Sequence, residues 1–329
     1  MKTHGLVLGK FAPLHKGHQL MIETALQEMD EVTVLIYHTS LYHVPLAVRA
    51  GWIKKLYPSI HVIEAPDGPE AVSDAPEIKK LHEDYILKKL NGTKITHFYS
   101  SEFYGEHVSK ALNATDRRVD NSRVQIPISG TEIRKNPFAC RQFISGTVYR
   151  DLIRKCVFLG APSTGKTTLC EALAKEFKTQ WVPEYGREYW ETHEINHRFP
   201  LAGFDEIVVE HQKREETAFL QSNQYCFVDT NAMTTRLFAL DYHNKSTELV
   251  DKLADGNAER YDIFFLCGDD IPYADTPDRS GDQKRHEFQK IIIEDLQQRK
   301  IPFTILTGTL AERIEQVKAR LLKLHIFDN

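Results

Sequence analysis

Cysteine is sparse in this chain and follows no pattern. The 329 residues hold five, Cys140, Cys156, Cys170, Cys226 and Cys267. No two have C-x-x-C spacing, so the sequence offers neither a disulfide framework nor a thiolate zinc site, and buried thiols in a reducing, cytoplasmic compartment are expected. Long apolar runs are also missing. None is long enough to cross a bilayer, and the opening MKTHGLVLGKF is too short in apolar residues for a signal peptide, so no membrane insertion is expected. Charge of one sign is not in excess: the formal net charge is −4, which gives no general basic surface for nucleic acid. There is no internal repeat and no low-complexity tract. What remains is ordinary globular composition, 41% hydrophobic and 27% charged, in a chain long enough for two cores.

Apolar runs and helical periods alternate twice along the chain. Gly5 to Gly9 reads as a buried first strand, and residues 18–29 follow with a helical period. Strands are expected at 31–37, 60–65 and 95–100, with helices at 48–57, stopped by Pro58, and 78–90. The alternation restarts after Lys155, with strands at 156–160, 224–229, 261–266 and 301–306, a strand-like 180–183, and helices at 168–177 and 310–324. Such alternation predicts an α/β chain of two doubly wound parallel-sheet domains, 1–149 and 150–329. Phe138, Phe143 and Ile144 mark residues 135–150 as a packed connector. Ligands in such sheets lie beyond the strand C-termini, where the glycine-rich segments fall.

The first of these segments is Gly9-Lys10-Phe11-Ala12-Pro13-Leu14-His15-Lys16-Gly17-His18, with a distant partner Ser129-Gly130-Thr131-Glu132-Ile133-Arg134. Two histidines three apart at the mouth of a helix add imidazole N–H groups to an N-terminus that already favours anions. Lys10 adds a cation, and Gly9 and Gly17 leave room for close backbone approach. Ser129, Thr131 and Arg134 supply hydroxyl and guanidinium donors for β- and γ-phosphates. The pattern suits nucleotidyl transfer, which needs positioning and charge neutralisation at an α-phosphate rather than a covalent intermediate. A zinc reading of His15 and His18 lacks further ligands.

The second segment, Gly160-Ala161-Pro162-Ser163-Thr164-Gly165-Lys166-Thr167, matches the P-loop at every fixed position. Its amides, with Thr168 just beyond, would cradle phosphates, Lys166 would reach the β- and γ-phosphates, and the Thr167 hydroxyl would take Mg²⁺. No guanine-reading N-K-x-D follows, and the length suits a small-molecule kinase. Asp229 ends the strand YCFVD where a metal-orienting carboxylate belongs. Glu184 is placed to accept a proton from a sugar hydroxyl, and Arg187 to hold substrate or phosphate. Residues 275–281 read as a lid with Arg279 reaching the transferred phosphate. Tyr185, Tyr189 and Trp190 are read as a nucleoside wall or as core packing.

Both constellations, with Arg49-Ala50-Gly51-Trp52-Ile53, Ser100-Ser101-Glu102-Phe103-Tyr104-Gly105 and Ile133-Arg134-Lys135-Asn136-Pro137-Phe138, resemble the NadR-type bifunctional enzymes over nearly the whole chain. The resemblance implies a Rossmann-like nucleotidylyltransferase followed by a P-loop kinase. The implied substrates are ribosylnicotinamide, nicotinamide mononucleotide and ATP with Mg²⁺, and the products are mononucleotide and then NAD. It also implies that Trp52 stacks on the nicotinamide nucleotide and Arg49 holds its phosphate. The chain departs from the family at Asp278-Arg279-Ser280-Gly281, where the family lid reads D-G-x-R, and in the P-loop interior. The helix-turn-helix of enterobacterial members has no counterpart ahead of the first strand, so nucleic-acid binding is not expected, and homo-oligomerisation stays open. Two other readings remain at this point: a phosphopantetheine adenylyltransferase fused to a dephospho-coenzyme A kinase, and a nucleotide-sensing regulator without turnover.

Overall fold

A computed structural model describes residues 2–40, 44–69, 71, 73–101, 105–193, 198–272 and 282–327. The chain divides into two compact units, Met1–Tyr149 and Arg150–Asn329.

The first unit begins with β1 (His4–Gly9), whose four interior residues are all buried, as expected of a strand covered on both faces. The order continues α1 (Lys16–Glu28), β2 (Glu31–Tyr37), α2 (Leu46–Leu56), β3 (His61–Ala65), α3 (Pro76–Leu90), β4 (His97–Ser100), α4 (Gly105–Leu112), β5 (Thr115–Arg118), α5 (Gly130–Lys135) and α6 (Gly146–Tyr149). The strands form one parallel sheet in the order β3-β2-β1-β4-β5. Leu6, Leu8, Leu35, Ile86, Leu90 and Phe98 form the core on one face. Strand order reverses between β1 and β4, so a crevice opens at the ends carrying Gly9 and Ser100. The connector is packed as expected: Ile144, Val148 and Tyr149 are buried, and the Phe138 ring lies edge-on to Tyr149.

The second unit runs β6 (Arg154–Leu159), α7 (Lys166–Phe177), β7 (Gln180–Val182), α8 (Tyr185–His193), α9 (Gly203–Gln221), β8 (Tyr225–Asp229), α10 (Ala232–His243), α11 (Glu248–Asp255), α12 (Asn257–Arg260), β9 (Ile263–Cys267), α13 (Asp282–Gln298), β10 (Phe303–Leu306) and α14 (Leu310–Phe327). Its parallel sheet has the order β10-β9-β6-β8-β7, which puts β6 and the loop after it at the centre. Phe158, Phe227 and Phe265 from three adjacent strands are all fully buried, with Phe158 stacked on Phe265 at 5.0 Å. Each such ring contributes roughly 2–3 kcal/mol of burial. Cys156, Cys170, Cys226 and Cys267 lie inside this unit, and burial pushes each thiol pKa upward, to about 12 for Cys226 and Cys267. Cys140 in the first unit is only half-buried. Among the described residues no helix is long and apolar enough to cross a membrane.

Candidate active sites

His15 is the N-cap of α1. Its Nδ1 accepts the Gly17 N–H at 3.2 Å, and its own N–H donates to His18 Nδ1 at 3.4 Å. This is a capping box built from two imidazoles. With each Nδ1 used as an acceptor, the proton of each neutral ring sits on Nε2. The rings stack at 3.7 Å, and the edge of Phe11 meets His18 at 5.0 Å. Burial, helped by the charges of Arg123 and Arg134, lowers the His15 pKa to about 4. Burial and the neighbouring His15 take His18 well below its usual value. At neutral pH both rings are uncharged donors. A Cβ at Gly17 would come within 3.1 Å of the His15 ring, so this glycine makes room for the histidine itself.

Both rings line a cavity of about 530 Å³ together with Gly9, Lys10, Phe11, Ser129, Gly130, Thr131 and Arg134. Sequence-distant segments are thus brought to one place. A Cβ on Gly130 would lie 3.9 Å from His15 Nε2. Arg134 donates to the Ala12 carbonyl at 2.8 Å and to the Thr131 hydroxyl at 3.0 Å, tying the two segments together. Ser129 is less available than its type suggested, because it caps α5 and donates its hydroxyl to Glu132 Oε2 at 2.7 Å.

Arg49 and Trp52 are placed elsewhere. Both are buried on α2, at 0% and 2% exposure, and neither lines the cavity. The Arg49 guanidinium donates to the Val44, Tyr37 and Lys10 carbonyls, so it fixes the backbone behind the site. Tyr37, His82, Ile86 and Val108 line the cavity as well. Arg123 and Asp120 also line it. Sequence reasoning missed both, for they stand in a turn with no motif of its own.

In the second unit the loop after β6 takes the geometry its glycines require. Gly160 has φ +145°, and a Cβ there would meet the Cys267 carbonyl at 2.8 Å. Gly165 caps α7 with φ +80°, and Ser163 is also left-handed at φ +62°. Lys166 is buried, and its Nζ lies in the hollow of the loop, 3.0 Å from the Gly160 carbonyl and 3.1 Å from that of Ala161. Thr164 is buried and donates to the Ala161 carbonyl at 2.8 Å, which makes it a brace of the loop. Arg313 on α14 donates to the Thr164 carbonyl at 2.7 Å, and Gln289 on α13 accepts the Ala161 N–H at 2.8 Å. Neither was singled out in the sequence. Thr168 is exposed on α7.

Thr167 donates to Asp229 Oδ2 at 2.5 Å, while the buried Asp229 Oδ1 has no hydrogen-bond partner. Burial raises the Asp229 pKa to about 6, against the opposing pull of Lys166. Glu184 and Arg187, between β7 and the first turn of α8, both act electrostatically on Asp229, so all four charged groups share one region. Tyr189 is core: it is buried, stacked on His193 at 4.1 Å and edge-on to Phe199. Tyr185 lies under the Arg214 guanidinium at 4.3 Å. Arg279 and the rest of residues 275–281 lie outside the described residues.

An orphaned, buried carboxylate oxygen beside a threonine hydroxyl fits Mg²⁺, which takes few protein ligands and completes its shell with water and phosphate oxygens. Among the described residues no three His, Cys, Asp or Glu side chains are grouped to hold a metal by themselves.

Comparison with known proteins finds one family match within each unit. Residues 6–136 match the cytidylyltransferase-like family and residues 155–313 the AAA domain family. The chain is 29% identical over 334 residues to the trifunctional NAD biosynthesis/regulator protein NadR of Escherichia coli (strain K12), covering 92% of this chain and 78% of that protein. The protein of that name from Salmonella typhimurium is 28% identical over the same shares. The chain is thus similar to NadR proteins over most of its length. Two crystal structures share the fold of this chain over nearly its full length. NadR in complex with NAD and AMP-PNP gives a TM-score of 0.58 at 22% identity, covering 97% of this chain and 95% of that one. NadR in complex with NR gives 0.59 at 24%, covering 93% and 89%.

Proposed function

We propose that the chain is a two-step NAD salvage enzyme. Its second unit phosphorylates ribosylnicotinamide with ATP, and its first unit joins the resulting mononucleotide to the adenylyl group of ATP, giving NAD and pyrophosphate. The observation that carries the reading is the pair of separate phosphate-handling constellations, His15 and His18 with the 129–134 segment in one unit and Lys166, Thr167 and Asp229 in the other. The NadR relatives support the choice of substrates.

In the first unit the two Nε2–H groups and the N-terminus of α1 meet the triphosphate, with Lys10, Thr131 and Arg134. As the mononucleotide phosphate attacks the α-phosphorus, these donors are already aimed where negative charge grows. Neutral imidazoles suit this task, since they donate without demanding a proton transfer. The backbone of Gly9, Phe11 and Ser129 shapes the nucleotide pocket. Arg49 and Trp52 serve by holding α2 and the 10–14 loop in place.

In the second unit the amides of residues 160–168 surround the phosphates, and Lys166 exchanges its loop carbonyls for β- and γ-oxygens. Thr167 and Asp229 are the residues that would hold Mg²⁺, which when bound draws charge from the β- and γ-oxygens. Glu184 accepts the proton of the ribose hydroxyl, and Arg187 steadies the phosphate. Arg279 keeps its proposed place in the lid.

The test is incubation with ATP, Mg²⁺ and ribosylnicotinamide, followed by product separation. Mononucleotide appearing first and NAD later is the expected course. Unconsumed ribosylnicotinamide would reject the reading.

A further inference from the structure

A triphosphate is a multiply charged anion, and the two histidines offset none of its charge because both are neutral donors at pH 7. Lys10 and Arg134 bring two cations, and Arg134 already serves the Ala12 carbonyl and the Thr131 hydroxyl. Two further cations line the same cavity, and of these Lys79 pairs with Asp74 at 3.0 Å. Arg123 is the other, and its charge acts on the rings of both His15 and His18. Its charge also acts on Glu132, the carboxylate committed to capping α5 at Ser129.

The loop carrying Arg123 is built to hold it there. The Asp120 carboxylate accepts three successive N–H groups, those of Val124 at 2.8 Å, Gln125 at 3.0 Å and Ile126 at 2.9 Å. The Arg123 N–H closes the turn onto the Asp120 carbonyl at 2.8 Å. Asp120 and Arg123 both stand in the left-handed region, at φ +46° and +52°, a conformation that side-chain-bearing residues adopt at a cost and that gathers at functional sites. The Ile126 side chain comes within 3.9 Å of a Cβ built on Gly17, which seats the turn against the start of α1.

We infer that Arg123 is a phosphate-binding residue of the adenylyl-transfer site, contacting the polyphosphate of ATP and taking up the charge of the leaving pyrophosphate. The inference rests on the adenylyltransferase reading of the first unit. In the step concerned, an oxygen of the acceptor phosphate bonds to the α-phosphorus. The bond to the α–β bridging oxygen breaks, and that oxygen leaves with its electron pair on pyrophosphate. Arg123 exchanges no proton. It lowers the energy of the departing anion, as a guanidinium pairs well with phosphate.

The experiment compares the full chain with Arg123→Gln and Arg123→Lys in NAD synthesis from supplied mononucleotide, with pyrophosphate product inhibition measured in parallel. For Arg123→Gln, the ATP Michaelis constant and the pyrophosphate inhibition constant should both rise by about ten- to hundredfold, the scale of one lost charge-assisted contact. The mononucleotide constant and ribosylnicotinamide phosphorylation should not move. Arg123→Lys should recover part of the loss. A purely structural role would not split the ATP and pyrophosphate constants from the mononucleotide constant, nor let lysine recover the loss, and histidine NMR should show the His15 titration shifted upward once the nearby cation is gone. Unchanged ATP and pyrophosphate constants, or a loss confined to the mononucleotide constant, would overturn the inference. A wild-type chain that forms no NAD would reject the functional reading itself, which is a separate result.

Discussion

At the scale of single residues, the proposed adenylyl-transfer site is made of side chains that also build the fold. His18 serves its own helix through Nδ1, which accepts the His15 N–H, and is left with Nε2–H for the ligand. His18→Ala should therefore lower NAD formation from mononucleotide by about 10²–10³, the usual loss for one donor aimed at developing charge. Phosphorylation of ribosylnicotinamide should be unaffected, and a parallel loss of both activities would argue against two sites. Asp229 makes a different demand. Its folded pKa of about 6 lies above the ordinary 3.8, so the folded unit favours the neutral acid. Above pH 6 the fold carries a buried charge at a cost of up to about 3 kcal/mol, and that cost fades as pH falls from 6 towards 4. Asp229→Asn should raise the melting temperature of the unliganded protein at pH 7.5 and raise it about half as much at pH 5, while phosphorylation falls. A gain independent of pH would mean the charge is not its source.

At the scale of elements, the P-loop is held from outside as well as by its own turns. Arg313 joins the Thr164, Gly268 and Gly308 carbonyls and the Asp270 carboxylate, at 2.7, 3.1, 3.0 and 2.6 Å. Arg313→Met takes a donor from the carbonyls of the buried Thr164 and Gly268, while the exposed Asp270 keeps the Gly308 N–H at 2.6 Å, so a loss of roughly 1–3 kcal/mol is expected in chemical denaturation. A raised ATP Michaelis constant for phosphorylation should accompany it. The central strands were legible in the sequence because a parallel strand covered on both faces is a plain apolar run, as in Val157-Phe158-Leu159. The edge strand β5, Thr115-Asp116-Arg117-Arg118, was not, since it has no apolar residue to show. Nor was the long helix α9, which buries His211 and Glu215 within its apolar stripe. The motif residues His15, His18, Lys166 and Thr167 could be read because their chemistry depends on near neighbours. Arg123 could not, since its place depends on Asp120 capping three amides. Arg49 was given a phosphate-binding role by the resemblance, and its contacts with three backbone carbonyls could be seen only in the fold.

At the scale of the whole molecule, each unit has its own sheet, its own core and its own proposed phosphate site, so damage should stay local. Lys166→Ala removes the cation in the hollow of the P-loop and should abolish phosphorylation of ribosylnicotinamide. Supplied mononucleotide should still become NAD at the wild-type rate. Near-normal phosphorylation by this variant would mean that the kinase site lies elsewhere. The uneven burial of the thiols has a practical consequence for following these activities. Four of the five cysteines are closed off within the second unit, leaving Cys140 in the connector as the accessible thiol. The native chain should take up one equivalent of maleimide, against five after denaturation. It thus carries a natural single attachment point for a fluorophore or spin label, and the labelled residue belongs to neither phosphate site.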